Sequence, residues 1–243
     1  MLIKTNAIVL YCLPYSDSAH IVHMYTEDFG RMTYMVHLSN NRQSVMKRAF
    51  FQPLSLLEIQ ADHKGSRQLQ HIKEVRCLHP FMGIPFDIGK STIALFLAEI
   101  LYRSLRDTEK NPILFNYLLQ SVQLLDLCDK GLANFHLVFL IKLTRYIGFY
   151  PNLEGQQPGW FFDLSGGVFV PTCPSHNAWL NPTEATLFAR LMQINFDNMA
   201  AYKFGHHQRV ELLRQMLNYY RMHLTEFPAI KSLEVLEEVF ASE

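Results

Sequence analysis

The hydrophobic period changes once along this chain, and that change limits the folds open to it. From residue 7 to residue 77 apolar and β-branched residues come in short, partly alternating runs: Ala7–Cys12, His20–Tyr25, Arg31–His37, Leu54–Ala61 and Leu69–Cys77. Turn residues separate the runs, at Pro14 to Ser18, Glu27-Asp28-Phe29-Gly30, Ser39-Asn40-Asn41 and His63-Lys64-Gly65-Ser66. Runs of this length and composition are strands. Five of them within about 75 residues, with no long crossover helix between, predict a small closed barrel of the OB type.

After Pro80 to Pro85 the period becomes helical. Ser91 or Thr92 is placed to cap a helix carrying Ile93, Phe96, Leu97, Ile100 and Leu101 on one stripe. Asn111-Pro112 supplies a cap and first-turn pair for a second helix. A third, Leu132–Ile147, is apolar nearly all round and ends at Gly148. Proline and glycine then interrupt the pattern over residues 149–182, where a β-hairpin is expected around Trp160–Phe162 and Val168–Val170. Helical periodicity resumes at Thr183–Met192, His206–Leu224 and Ala229–Phe240. The expected fold is α+β: a barrel domain over residues 1–80, then a helical domain over residues 81–243 with an irregular insertion.

With 243 residues the chain is long enough for two cores. Lys plus Arg equals Asp plus Glu over the whole sequence, but residues 1–80 hold nine bases against six acids. A polyanion senses charge within a Debye length of about 8 Å, so the local excess counts for more than the neutral total. Between Asp28 and Glu58 the charged residues are Arg31, Arg42, Lys47 and Arg48, with no acid among them and Tyr34, Phe50 and Phe51 nearby. Cations beside aromatic rings on a small barrel are what a single-stranded nucleic acid requires. Arg31, Arg42, Lys47 and Arg48 are the candidate phosphate contacts, Lys64 and Arg67 the candidate groove edge, and Tyr34 the candidate base-stacking platform.

Other chemistry is weaker in this sequence. Gly83-Ile84-Pro85-Phe86-Asp87-Ile88-Gly89-Lys90-Ser91 resembles a phosphate-binding P-loop, but five residues separate its glycines where four are needed, and one is a proline without an N–H. Cys173-Pro174-Ser175-His176 has the spacing of half a zinc site, without a second pair in the same insertion. His20 and His23 fall on opposite strand faces. Cys12, Cys77, Cys128 and Cys173 are far apart and form no Cys-x-x-Cys pair, as in a reduced, intracellular protein. No signal-peptide pattern opens the sequence, and no apolar run reaches the roughly 18 residues of a membrane span. A cytoplasmic protein without membrane contact or cofactor is expected.

Several segments, taken in order, resemble the bacterial recombination mediator RecO family. They are Ala7-Ile8-Val9-Leu10, Tyr15-Ser16-Asp17-Ser18-Ala19-His20-Ile21-Val22, Tyr25-Thr26-Glu27-Asp28-Phe29-Gly30-Arg31 and Gln52-Pro53-Leu54-Ser55-Leu56-Leu57-Glu58 in the first part. Asn111-Pro112-Ile113-Leu114-Phe115, Gly148-Phe149-Tyr150-Pro151 and Phe162-Asp163-Leu164-Ser165-Gly166-Gly167 follow in the second. The resemblance implies an N-terminal OB-fold and a helical domain with a zinc-ribbon-like insertion. It also implies non-catalytic binding to single- and double-stranded DNA and annealing of complementary strands. The implied partners are RecR, the C-terminal tail of the single-stranded DNA-binding protein and, indirectly, RecA. The chain departs from the family pattern where two Cys-x-x-Cys pairs would hold zinc, keeping only Cys173 with His176, and Ser39-Asn40-Asn41 dilutes the basic loop. An acidic, apolar tail needs an apolar pocket with a basic rim, for which Arg209, Arg214 and Arg221 are the candidates. The alternatives from other classes are a P-loop-like nucleotide hydrolase and an OB-fold protein adaptor that does not touch DNA.

Overall fold

The computed structural model describes residues 1–37, 48–64, 67–106 and 109–242. Two compact units are present: Met1–Leu127 with Ile230–Leu236, and Cys128–Ala229 with Glu237–Glu243.

The first unit contains a closed barrel of β1 (Leu2–Pro14), β2 (Ala19–Thr26), β3 (Gly30–His37), β4 (Leu56–Asp62) and β5 (Leu69–Cys77), in the order β1-β2-β3-β5-β4. The first half of β1 pairs antiparallel with β4, from Leu2 opposite Asp62 to Ile8 opposite Leu56. Its second half pairs with β2, from Ala7 opposite Thr26 to Pro14 opposite His20. One long strand thus closes the ring, while β3 and β5 meet in parallel at Thr33–Leu69 and Met35–His71. Alternation sends Ala7, Val9, Val22, Met24, Tyr34, Val36, Leu57, Ile59 and Ala61 inward, and Phe51 from a 3-10 turn (Ala49–Phe51) closes one end. The β1–β2 register slips between Val9 and Tyr11, a bulge that re-aims Tyr11. At the β2–β3 turn Gly30 takes a φ of 59°, and the Thr26 hydroxyl donates to its carbonyl at 2.9 Å.

Helix α1 (Ile88–Ser104) lies against β1, and α2 (Pro112–Leu127) packs beside α1. Contact on both faces explains why Ala7, Ile8, Val9 and Leu10 are all buried. The cap of α1 is Asp87 rather than Ser91 or Thr92: its carboxylate accepts from the Lys90 N–H at 2.9 Å. Thr92, one turn further in, is buried inside the helix. At α2 the expected pair is in place, with Asn111 Oδ1 accepting from the Leu114 N–H at 3.0 Å.

The P-loop-like segment binds a carboxylate of its own chain. The backbone N–H groups of Met82, Gly83 and Ile84 donate to the Asp126 carboxylate at 3.0, 2.7 and 2.7 Å, and the Lys90 ammonium donates to the Asp126 carbonyl at 2.8 Å. The donors that a phosphate would need are therefore engaged, and the hydrolase reading loses its site. Gly83 is required because any Cβ there would overlap the Asp126 carbonyl. Burial alone would raise the Asp126 carboxyl, but the three N–H bonds and Lys90 hold it below the usual range.

The second unit centres on α3 (Leu132–Tyr146), α4 (Pro182–Gln193) and α5 (His206–His223), followed by α6 (Leu233–Val239), which runs across the boundary between the units in sequence. The insertion forms a sheet in the order β7-β6-β8, from β6 (Phe161–Asp163), β7 (Val168–Val170) and β8 (Trp179–Leu180). The hairpin is where the sequence predicts it; β8 is additional. Phe162 anchors it, with ring centroids 4.9 Å from both Phe169 and Phe188. The Tyr219 hydroxyl donates to the Phe149 carbonyl at 2.8 Å, and His223 Nε2 bonds the Leu164 carbonyl at 2.9 Å. The donor set does not fit a zinc ribbon. Cys173 is exposed, His176 pairs with Asp163 at 3.4 Å, and Asp163 also accepts the N–H groups of Ser165 and Gly166. Among the described residues no three potential ligands converge.

Two outcomes test this account. Asp126→Ala leaves three N–H groups without an acceptor, that of Ile84 buried and those of Met82 and Gly83 partly so, and is expected to lower the unfolding free energy in urea by about 3 kcal/mol. Because the folded carboxyl titrates below the unfolded one, the wild-type advantage is present above about pH 4 and is lost as the pH falls through the folded value. Phe162→Ala is expected to cost about 3–5 kcal/mol, whereas a metal chelator leaves the melting temperature of the wild type unchanged.

Candidate nucleic-acid interface

Two exposed cations of the barrel, Lys64 and Arg67, sit on backbone that an uncharged residue holds in place. Lys64 and Arg67 stand exposed in the loop between β4 and β5. That loop is tied from below by Gln70, which is buried. Its side chain accepts from the Lys64 N–H at 3.0 Å and donates to the carbonyls of Lys64 at 2.9 Å and Arg67 at 2.6 Å. One glutamine thereby satisfies three backbone groups and fixes where both cations leave the barrel. Beside this loop, on the outer face where β3 meets β5, the His37 and His71 rings are nearly parallel with centroids 6.4 Å apart.

Tyr34 is a core residue, which corrects its reading as a stacking platform. It is 0% exposed, and burial pushes its hydroxyl far above the usual tyrosine range. Strand alternation turns it inward with Val36, so no base reaches its ring. Arg31 is also committed elsewhere. Its guanidinium donates to the Tyr102 and Leu105 carbonyls at 3.0 and 2.8 Å and lies 4.5 Å from the centre of the Tyr102 ring. It is a tie from β3 to the C-terminus of α1, where orphan carbonyls and the helix dipole favour a cation. Arg42 and Lys47 lie outside the described residues. Arg48 is exposed immediately before the 3-10 turn.

The three arginines of α5 do not form one rim. Arg214 and Arg221 are both exposed and, seven residues apart, share a face. Arg209 is about 140° round the helix from Arg214, half-buried, with Nη1 donating to the Phe204 carbonyl at 2.8 Å. Arg214 pairs with Glu237 at 3.2 Å, and Arg221 donates to the Asn218 side chain at 2.9 Å.

A groove that sequence reasoning missed lies within the first unit, between β1, the 3-10 turn and α1. It encloses about 690 Å³, and its walls include Tyr11, Phe51, Tyr102, Arg48, Arg103 and Lys231. Tyr11, lifted by the bulge, is 48% exposed; its ring centroid lies 5.0 Å from that of Tyr102 and 6.3 Å from that of His23. Glu99 also faces the groove, but its carboxylate accepts from the N–H groups of Lys231 and Ser232 at 3.1 and 2.9 Å and from the Ser232 hydroxyl at 2.7 Å. Those bonds outweigh burial and hold its carboxyl below the usual range. An apolar hollow of about 570 Å³ continues past Gln52 and Pro53. Tyr11 follows the apolar run Ala7–Leu10 with no break in composition, so only the bulge distinguishes it from a core tyrosine.

The chain matches the family model for the recombination protein O N-terminal region over residues 1–81 and the model for its C-terminal region over residues 85–234. It is 44% identical to the DNA repair protein RecO of Phocaeicola vulgatus, over 99% of this chain and 100% of the relative. It is 43% identical to that of Bacteroides fragilis and 39% identical to that of Azobacteroides pseudotrichonymphae, with the same coverage. A closed five-stranded barrel followed by a mainly helical region, matched end to end in both parts, shows that the chain belongs to the RecO family.

Proposed function

We propose that this protein is a non-catalytic mediator of DNA repair and recombination. In this reading it binds single- and double-stranded DNA, anneals complementary strands and, with RecR, helps load RecA onto DNA covered by the single-stranded DNA-binding protein. The observation that carries the reading is the full-length match to proteins named for DNA repair, on a barrel whose exposed loop cations are held in place by a buried glutamine. Annealing requires no bond chemistry. The protein has to lower the repulsion between two phosphate backbones while leaving base edges free to pair, which exposed lysines and arginines on a rigid scaffold accomplish.

Residues 1–80 serve in this reading as the DNA-binding barrel, and the helices from residue 81 face protein partners. Arg48, Lys64 and Arg67 are the phosphate contacts among the described residues, with Arg42 and Lys47 completing the basic stretch of the sequence. For the acidic, apolar tail of the single-stranded DNA-binding protein, Arg221 and Arg214 are the basic pair, with the charge of Arg214 partly met by Glu237. Arg209 is a structural residue of the same helix.

The test is a salt titration of labelled single-stranded oligonucleotide binding, with and without RecR, followed by annealing of complementary strands in the same buffer. Binding is expected to weaken steeply with salt and to accompany faster annealing. Charge reversal at Arg48, Lys64 and Arg67 together is expected to lower the slope of log K against log salt by about 0.7 for each lost contact. Arg31→Ala, by contrast, is expected to leave that slope unchanged and to reduce stability by about 1–3 kcal/mol through two orphaned carbonyls. Negligible binding even at low salt with RecR present would instead assign the barrel to protein contacts alone.

A further inference from the structure

We propose that the groove beside Tyr11 is a nucleotide site: one unpaired base of a single strand lies against the exposed face of Tyr11, and the adjoining phosphates meet Arg48, Arg103 and Lys231. The inference rests on the DNA-binding reading above and gives it a stacking residue, the role that Tyr34 is too buried to fill. Three independent features converge here. First, the cavity, about 690 Å³, falls within the range of small-molecule sites. Second, its aromatic element is half exposed yet rigid. The Tyr11 ring is braced from behind by Tyr102 and His23, and Tyr102 is in turn covered by the Arg31 and Arg103 guanidiniums at 4.5 and 5.2 Å from its centre. A braced ring stacks on a base with little loss of rotamer freedom. Third, the charge facing the cavity is cationic, because Arg48, Arg103 and Lys231 border it against the single carboxylate of Glu99, which lies 3.9 Å from Arg103.

The place in the fold fits the same ligand. Pro14 and His20, at the two ends of the β1–β2 connection, border the groove. That connection and the β4–β5 loop are the two that OB-folds use to hold oligonucleotides, and the β4–β5 loop carries Lys64 and Arg67. An acidic peptide with apolar side chains is the competing occupant, since Leu95 and Val235 also line the cavity. A peptide would use the apolar floor and the cations but would gain little from an aromatic face already braced for stacking.

The experiment is anisotropy of a labelled oligo-dT at low salt on the full chain, with a second oligonucleotide carrying 2-aminopurine as a reporter of stacking. Wild type is compared with Tyr11→Ala and Tyr11→Trp, and folding is checked by circular dichroism. The alanine variant is expected to bind roughly ten- to a hundredfold more weakly with an unchanged salt slope, and the tryptophan variant to bind as wild type or tighter. Quenching of 2-aminopurine is expected with wild type and tryptophan and to be lost with alanine. Arg103→Ala with Lys231→Ala is expected to reduce the slope. Wild-type affinity and quenching in a folded Tyr11→Ala overturns the proposal. If the alanine variant misfolds, Tyr11→Leu, which keeps apolar bulk without a π face, takes its place under the same criteria. An acidic, apolar peptide that binds in a Tyr11-dependent way, while oligonucleotide binding ignores Tyr11, also overturns it and assigns the groove to a peptide. Absence of any oligonucleotide binding by wild type removes the DNA-binding reading itself, and the site with it.

Discussion

Closure of the barrel depends on a single strand. β1 is long enough to bond β4 along its first half and β2 along its second, so it joins the two ends of a sheet that would otherwise present exposed edges. The same strand is covered on its outer face by α1. Ala7 to Leu10 consequently have no solvent side, and this apolar run is the point from which barrel and helix share one core. The bulge after Val9 is the consequence with most bearing on function. It ends the buried run and delivers Tyr11 to the rim of a groove.

Charged groups inside the first unit mostly bind backbone. Asp126 holds three N–H groups of the 82–84 turn, Lys90 a carbonyl at the end of α2, Arg31 two carbonyls at the end of α1, and Glu99 the N–H groups of residues 231 and 232. Each satisfies peptide groups that helix ends and turns leave orphaned. A cation or carboxylate used in this way is withdrawn from ligand chemistry. The candidate interface is therefore smaller than a count of basic residues suggests, and it is built from the exposed side chains of Lys64, Arg67 and Arg48 and the groove around Tyr11.

The insertion in the second unit shows one packing solution replacing another. A short sheet cannot stabilise itself in water, and this one is seated on Phe188 and Tyr219 through Phe162. Hydrogen bonds from Tyr219 and His223 to main-chain carbonyls fix its entry and its turn. The role that four metal ligands would play falls to an aromatic cluster and two polar tips.

By itself the sequence determined the main elements and their order, β8 excepted. Period two marks five strands, and four lie within two residues of their observed bounds; β1 begins five residues before the expected Ala7, in the half that pairs with β4, and its run Ala7–Leu10 is buried on both faces and carries no alternation. Period 3.6 gave the helices, and Asn111-Pro112 marked the start of α2, because caps are local chemistry. Resemblance to the RecO family was also legible, since it resides in the order of many short segments. Only the tertiary structure decided which polar residues were available. Tyr34 and Tyr11 look alike in composition, yet closure of the barrel buries one and a single bulge exposes the other. Arg31 and Lys64 carry the same charge, yet a helix end more than seventy residues away captures the first, while a buried glutamine sets the second outward. Those outcomes depend on contacts between residues distant in sequence, which local periodicity does not encode.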